Sequence, residues 1–332
     1  MARFVQNRWY QFAWADEIAD DAVLTRTVLD IPMVAFRTDA GKMAVLDNRC
    51  PHRFAPLSEG KREGDTIACP YHGLVFNTAG QCVRNPHGAA TSTLAVASFP
   101  VLERHKAVWI WIGQQEPDES LLPDLSFIDA APETAQLRLH TAVQANYELL
   151  ADNILDLSHA DYLHASSLGS GFNTRAKSTV EEYPDHFSIA WRSDSDDAPP
   201  AFNLESPAKL WTEVDWYAPA LMVLRAGGHP VGKPERGIDT LNLHNMTPAT
   251  LTTTHYFSCN TRNFLIDDAA FNAVLRKQLV HAFQVEDKPM IEKVQQQMGT
   301  PDLWSLGPRM LPIDKGAVLA RRRIAKLIEA AE

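Results

Sequence analysis

Between residues 23 and 113 the apolar positions fall in short runs interleaved with polar ones. VLTRTVL, PMVAFRT and KMAVLDN have the β-branched or alternating character of strands, where successive side chains go to opposite faces. Asp39-Ala40-Gly41, between the second and third runs, predicts a hairpin turn; Ala79-Gly80 predicts another inside GLVFNTAGQCVRN. VWIWIG (108–113) is a further strand with aromatics at alternate positions. No helical period of useful length occurs here, so the first third predicts a small all-β module. An acidic, proline-bearing stretch, QQEPDESLLPDLSF (114–127), breaks the pattern, and a boundary near residue 125 divides the chain into 1–125 and 126–332. Residues 143–165 then carry apolar positions at helical spacing, 179–260 return to strand-like runs, and 267–298 and 316–331 read as helices. The fold class is α+β. Asp194–Pro200 has the composition of a mobile loop.

Composition narrows the function. With 332 residues, 45% of them hydrophobic, the chain can bury a core without covalent staples. A net charge of −10, with Arg321–Arg323 the one basic run, argues against a nucleic-acid partner. No window reaches the roughly 18 apolar residues of a membrane span. The N-terminus, MARFVQNRWYQFAWADEIADD, lacks the apolar core of a secretory signal, so a cytoplasmic chain is expected. Four cysteines in a reducing compartment do not make a disulfide scaffold; closely spaced Cys and His read as metal ligands.

Two such pairs exist. CPHR (50–53) and CPYH (69–72) give Cys-x-His, sixteen residues, then Cys-x-x-His. Cys50, His52, Cys69 and His72 could hold zinc or a [2Fe–2S] cluster. The first pair is spaced more tightly than zinc pairs usually are, and each pair mixes one Cys with one His. In a Rieske-type cluster one iron takes both cysteines and the other both histidines, so each loop supplies one ligand to each iron. Pro51 and Pro70 stiffen the loops, and Gly73 lets the backbone approach. His87 is placed in a loop near the cluster. Cys82 and Cys259 stand alone and read as small apolar residues.

A second constellation is DNILDLSHADYLH (152–164). Asn153, Asp156 and His159 are spaced by three and can share one helix face. His159 and His164 are five apart, about 140° around an undistorted helix, so they can share a metal only if the helix bends, ends or bulges. A redox cluster needs somewhere to deliver its electron, and two His plus a carboxylate form the facial triad of non-haem Fe(II) oxygenases. FQVEDKPMIEKV (283–294) offers the carboxylate: Pro289 should distort the helix near Val285–Lys288 and aim Glu286 or Asp287 inward. The residues alone do not choose between these two acids. TLNLHNM (240–246) puts Asn242 and His244 on one strand face, where they could meet a substrate's polar head or solvent. Gln278 is a weaker candidate, and Arg225 and Arg262 could pair a substrate carboxylate or simply be solvated.

CPHRFAPLSEG, CPYHGL and DNILDLSHADYLH, with NPHG (85–88), RNFLIDD (262–268) and VEDK (285–288), resemble the oxygenase components of Rieske non-haem iron aromatic-ring oxygenases. Within them the likeness is to the O-demethylase branch of vanillate- and dicamba-type enzymes. It implies an N-terminal Rieske domain followed by a helix-grip catalytic domain. It makes His159, His164 and Asp287 the ligands of a mononuclear Fe(II), puts Asn153 close to it, and favours His244 as a substrate contact. Asp156 falls at the bridging carboxylate, which would link His72 of one subunit to His159 or His164 of its neighbour in a homotrimer. An NADH-dependent reductase, directly or through a ferredoxin, would supply electrons, with O₂ and a small aromatic molecule as substrates. The implied activity is O-demethylation of a methoxy-aromatic acid, vanillate-like, releasing formaldehyde. The alternatives are ring hydroxylation or N- or C-methyl oxidation and, in other classes, a Rieske electron carrier or a zinc-stapled binding protein.

Overall fold

The computed structural model describes residues 3–19, 22–165 and 168–331. The chain forms two compact units, Gln6–Leu122 and Pro123–Glu332, the latter including the N-terminal residues up to Val5.

The first unit is three antiparallel sheets. β1 (Arg8–Trp14), β11 (Ala107–Ile112) and β10 (Val101–Arg104) make one. β2 (Val23–Val28), β3 (Ile31–Arg37), β4 (Met43–Asp47) and β9 (Ser98–Phe99) make the second. β5 (Lys61–Glu63), β6 (Thr66–Ala68), β7 (Val75–Asn77) and β8 (Cys82–Arg84) make the third. The strand runs and both hairpins lie where alternation places them. Val34, Phe36, Leu46, Leu57, Ile67, Leu74 and Phe76 pack into one buried core, and Cys50 and Cys69 belong to it. Each such side chain contributes about 1.5–3 kcal/mol by leaving water, so the ligand loops are anchored at their cysteine ends.

The second unit centres on a seven-stranded sheet in the order β12-β18-β17-β16-β15-β14-β13. The strands are β12 (Gln136–Val143), β13 (Thr179–Glu182), β14 (His186–Asp196), β15 (Ala208–Tyr217), β16 (Leu221–Pro230), β17 (Ile238–Thr250) and β18 (Thr253–Arg262). Every pairing is antiparallel. β15, AKLWTEVDWY, buries alternate residues as a strand with one core-facing side must. The longer helices are α2 (Tyr147–Leu155), α5 (Ala269–His281), α6 (Lys288–Met298) and α7 (Lys315–Glu329), with short helical turns α1 (Ser126–Ala130), α3 (Ala160–Leu163) and α4 (Phe172–Arg175). Asn146 caps α2 by accepting the Glu148 N–H. Arg321 of α7 grips the same helix through Asp152 (2.7 Å) and Glu148 (2.9 Å).

Two expectations change. Residues 143–165 are not one helix: α2 stops at Leu155, and Asp156 leaves helical geometry (φ −131°, ψ 89°). Asn153, Asp156 and His159 therefore do not share one helix face. The Asp156 carboxylate instead accepts the Ser158 N–H (3.0 Å) and restarts the chain as a 3₁₀ turn. Asp194–Pro200 is only partly loop: β14 runs to Asp196, held by ion pairs from Arg175 to Asp196 and from Lys209 to Asp194. Among the described residues no helix is long and apolar enough to cross a membrane.

Candidate active site

The loops Cys50–Ala55 and Cys69–Leu74 have one backbone design. The Cys50 N–H donates to Ala55 O (2.9 Å) and the Cys69 N–H to Leu74 O (2.7 Å). Each cysteine carbonyl accepts from the residue four ahead, Phe54 (2.8 Å) and Gly73 (3.1 Å). Both closing residues are left-handed, with φ of 58° at Phe54 and 71° at Gly73. Glycine adopts that conformation freely; Phe54 holds it at a cost of about 1–2 kcal/mol, a strain typical of functional loops.

The thiols of Cys50 and Cys69 face the core and touch each other, and burial pushes the Cys50 thiol up to about 11. His52 is exposed and His72 half-buried, their rings 4.5 Å apart edge to face. His87 Nε2 donates to the His72 carbonyl (3.0 Å), which ties the neighbouring loop to this one. Two thiols inside and two imidazoles outside suit a cluster with one iron of each kind.

The second constellation assembles from three breaks in regular structure. His159 ends the 3₁₀ turn after α2, and His164 caps α3. Asp287 ends a π-helical turn, Ala282–Asp287, between α5 and α6. Pro289 has no N–H for the Val285 carbonyl, and the Lys288 N–H bonds five residues back, to Phe283 O. The wider turn rotates the register, so that Asp287 is 4% exposed while Val285 is 56% exposed.

One ligand atom from each of His159, His164 and Asp287 lies within 4.8 Å of the others. Asp287 Oδ1 is 3.0 Å from His164 Nε2 and 3.6 Å from His159 Nε2. The other ring nitrogens are already used. His159 Nδ1 donates to the Asp156 carbonyl (2.5 Å) and His164 Nδ1 to Glu286 Oε2 (2.8 Å). These bonds turn both Nε2 atoms toward Asp287, where a metal bound in place of the His164 Nε2 proton would meet both imidazoles. Asn153 Nδ2 donates to Asp287 Oδ1 (3.2 Å) and fixes the carboxylate. Burial alone would lower the His164 pKa, but its hydrogen bonds to Asp287 and Glu286 outweigh it and raise it. Both acids that the sequence could not separate meet His164, one on each ring nitrogen. The donor set, two imidazoles and a carboxylate, fits a divalent iron with positions left open.

The triad opens on a cavity of about 150 Å³, the size that holds one small aromatic ring. Leu137, Leu139, Leu157, Leu224, Leu275, Leu279 and Phe283 form apolar walls together with Phe172, Pro199 and Phe202. Asn242 and His244 both line it; Gln278 is not among its lining residues, α5 presenting Leu275 and Leu279 instead. Arg225 is paired to Asp239 on the surface (2.5 Å). His244 is buried, which pushes its pKa down to about 4, so it is neutral at pH 7. Its Nδ1 meets the Tyr256 hydroxyl at 2.6 Å. Burial holds that phenol protonated, and by donating to Nδ1 it leaves Nε2–H as the imidazole's own donor. Tyr256, Asn173, Asn260 and Cys259 were not legible as site residues. The alternation in TTTHYFSC gives a signal for one of them: Tyr256 lies diagonal to His244 across the β17–β18 pair.

Comparison with known proteins places two family models on the chain: the Rieske [2Fe-2S] domain over residues 8–100 and the vanillate O-demethylase oxygenase C-terminal domain over residues 143–330. The oxygenase component of chloroacetanilide N-alkylformylase from Rhizorhabdus wittichii is 38% identical, over 98% of this chain and 96% of its own. The oxygenase component of dicamba O-demethylase from Stenotrophomonas maltophilia is 35% identical, over 99% of each. A crystal structure of dicamba monooxygenase bound to dicamba superimposes with a TM-score of 0.90 at 35% identity, covering 99% of both chains.

Proposed function

The chain belongs to the oxygenase components of the Rieske non-haem iron oxygenases, and we propose that it removes a small alkyl group from a heteroatom of an aromatic substrate. The observation that carries this reading is the meeting of His159, His164 and Asp287, with both Nε2 atoms turned toward the Asp287 carboxylate, at the wall of a ring-sized apolar cavity. These three side chains would hold iron(II), which would supply O₂ activation and oxidation of a substrate C–H bond. The [2Fe–2S] cluster held by Cys50, His52, Cys69 and His72 supplies single electrons.

The protein's own part is positional. The leucine and phenylalanine walls exclude water and hold a ring so that its substituent faces the triad. His244 Nε2–H, kept neutral, donates to a substrate oxygen. Glu286 and the Asp156 carbonyl hold the two imidazoles in register, and Asn153 holds Asp287. Asp156 keeps a carboxylate oxygen beyond the one used by Ser158, and in a homotrimer it would bridge His72 of one subunit to an iron-ligating histidine of the next. One atom of O₂ enters the carbon next to the ether oxygen or amide nitrogen and the other leaves as water, with NADH as the two-electron donor through a reductase. The hydroxylated product breaks down to an aldehyde and either a phenol or the N-dealkylated amide.

Both O-dealkylation and N-dealkylation fit, since the relatives named above include one of each. The test is NADH-driven oxygen uptake with a reductase across aryl methyl ethers and N-alkyl anilides. Aldehyde release matched one-to-one with oxygen supports the reading; a ring-hydroxylated product that keeps its alkyl group refutes it.

A further inference from the structure

A substrate has to reach the triad from outside, yet every described residue lining the catalytic cavity is buried or half-buried. A second cavity of about 150 Å³ adjoins it and shares Leu137, Asn260, Leu275 and Leu279 as walls. Unlike the first, it is also lined by exposed residues, Glu133, Thr134 and Arg276, so it reaches the surface. Its charges are two guanidiniums, Arg262 and Arg276, against one carboxylate, Glu133, which is paired with Arg138 (3.2 Å). Arg262 is 8% exposed and lies over the Phe271 ring. It donates from Nη2 to Thr134 O (3.1 Å) and Leu265 O (3.3 Å), and its Nε is buried with no hydrogen-bond partner among the described residues. Arg276 has no hydrogen-bond or ion-pair partner among them. Guanidiniums with spare donors in a polar cavity suit an anion. The Asn272 amide, whose buried Oδ1 is also unpartnered, can turn its Nδ2–H to the same space.

The pairing of β17 with β18 continues this site into the catalytic cavity. Thr240 lies opposite Arg262, Asn242 opposite Asn260, and His244 opposite Ser258. Alternate residues share a face, so these six side chains form one polar strip across the two strands. Asn260 lines both cavities, and its Nδ2 donates to Asn242 Oδ1 where they meet. The strip starts at the Arg262 guanidinium in the second cavity and ends at the His244 Nε2–H donor in the first. Leu137, Leu275 and Leu279 run beside it. A small aromatic acid moving along this strip keeps its carboxylate among donors and its ring against leucine, so it is never stripped of hydration without replacement.

We propose that the second cavity is an entry vestibule for small aromatic carboxylates: Arg276 and Arg262 collect the anion, and the strip from Asn260 to His244 leads it to the triad. The side chains of Leu137, Leu275 and Leu279 are the partition that moves aside as the ring passes. This rests on the dealkylase reading above only in taking the cavity beside the triad as the place of reaction.

The test is stopped-flow binding to the holoenzyme with its cluster oxidised and no reductant, so that no turnover occurs. The probes are 2-aminobenzoate, a fluorescent aromatic anion, and its uncharged methyl ester. At low salt Arg276→Gln should slow association of the acid about threefold, and Arg276→Glu should slow it further, with the ester unaffected. At high salt the difference between parent and variant should vanish. Arg276 is exposed and unpaired, so these variants should melt with the parent. Asn272→Trp, which fills the vestibule, should slow acid and ester alike. Equal association of the acid with parent and Arg276→Gln at low salt would overturn the proposal, as would an acid that does not bind the parent. So would an Asn272→Trp variant, folded by its melt, that takes up the ester at the parent's rate: the acid would then stop at the arginines and the doorway would lie elsewhere. The dealkylase reading fails separately: ligands that enter by this route but release no aldehyde on reduction would refute that reading and leave the vestibule standing.

Discussion

His164 shows how much of the metal site is set by groups that would not touch the metal. Its Nδ1 is held by Glu286 at 2.8 Å and its Nε2 faces Asp287 at 3.0 Å. Glu286→Gln keeps the shape but removes the charge, and partners of this kind are worth about 10–100-fold in metal affinity. Dialysis against a mild chelator should therefore strip the mononuclear iron from the variant first, with the cluster's visible spectrum unchanged; equal retention in variant and parent would contradict this. Protons compete for the same nitrogen. Because His164 has a raised pKa, it stays protonated to higher pH than a free imidazole, so mononuclear iron should be lost as pH falls, before the cluster. Iron content at pH 5.5 and pH 7.5 checks the sign. At this scale the sequence was informative where ligands sit close together. Cys50, His52, Cys69 and His72 declare themselves by spacing, whereas Glu286 and Asp287 are adjacent, and only the winding of the turn decides which side of His164 each reaches.

Elements were legible wherever hydrophobic periodicity is regular. The strands of the first unit and the helices α5, α6 and α7 fall on their patterns. What escaped were the breaks, and the breaks build the site. The end of α2 depends on one side-chain cap, Asp156 to Ser158. The π turn depends on a proline two residues past the acid it points inward, so its place was legible as a distortion but its winding was not. Helix packing adds a stability prediction. Arg321 is 5% exposed and pairs with Asp152 and Glu148 from α2, and its removal leaves two partly buried carboxylates. Arg321→Met should cost about 3–5 kcal/mol, as breaking a buried pair does. Burial raises the pKa of both acids, Glu148 to about 6 even with Arg321 in place. A folded pKa above the unfolded one means that the folded state binds the extra proton, so stability rises as pH falls through that range. The deficit of the variant should thus shrink from pH 7.5 to pH 5.5; thermal melts at both values read it, and a constant deficit would contradict it.

The whole molecule pairs a β unit built around two matching ligand loops with an α+β unit built around a cavity. The trimer proposed for it can be tested by complementation. Cys69→Ser removes a cluster ligand and His164→Ala a triad ligand, and each variant alone should be inactive. If electrons cross between neighbouring chains through Asp156, assemblies refolded from a mixture should regain turnover; no recovery in verified mixed assemblies would contradict the bridge. Fold class and the presence of two redox sites were legible because both motifs are compact in sequence. The lining of the cavity was not, because it depends on which residues from five strands and several turns share one wall. The central claim is that this chain carries an oxygen-activating iron in addition to its cluster. Iron and acid-labile sulfide analysis of the purified holoenzyme tests it most directly. Three iron atoms and two sulfides per chain are expected, a [2Fe–2S] cluster plus one mononuclear iron, falling to two and two in His159→Ala; two iron atoms in the parent protein, with the sulfide unchanged, would reduce it to an electron carrier and contradict the claim.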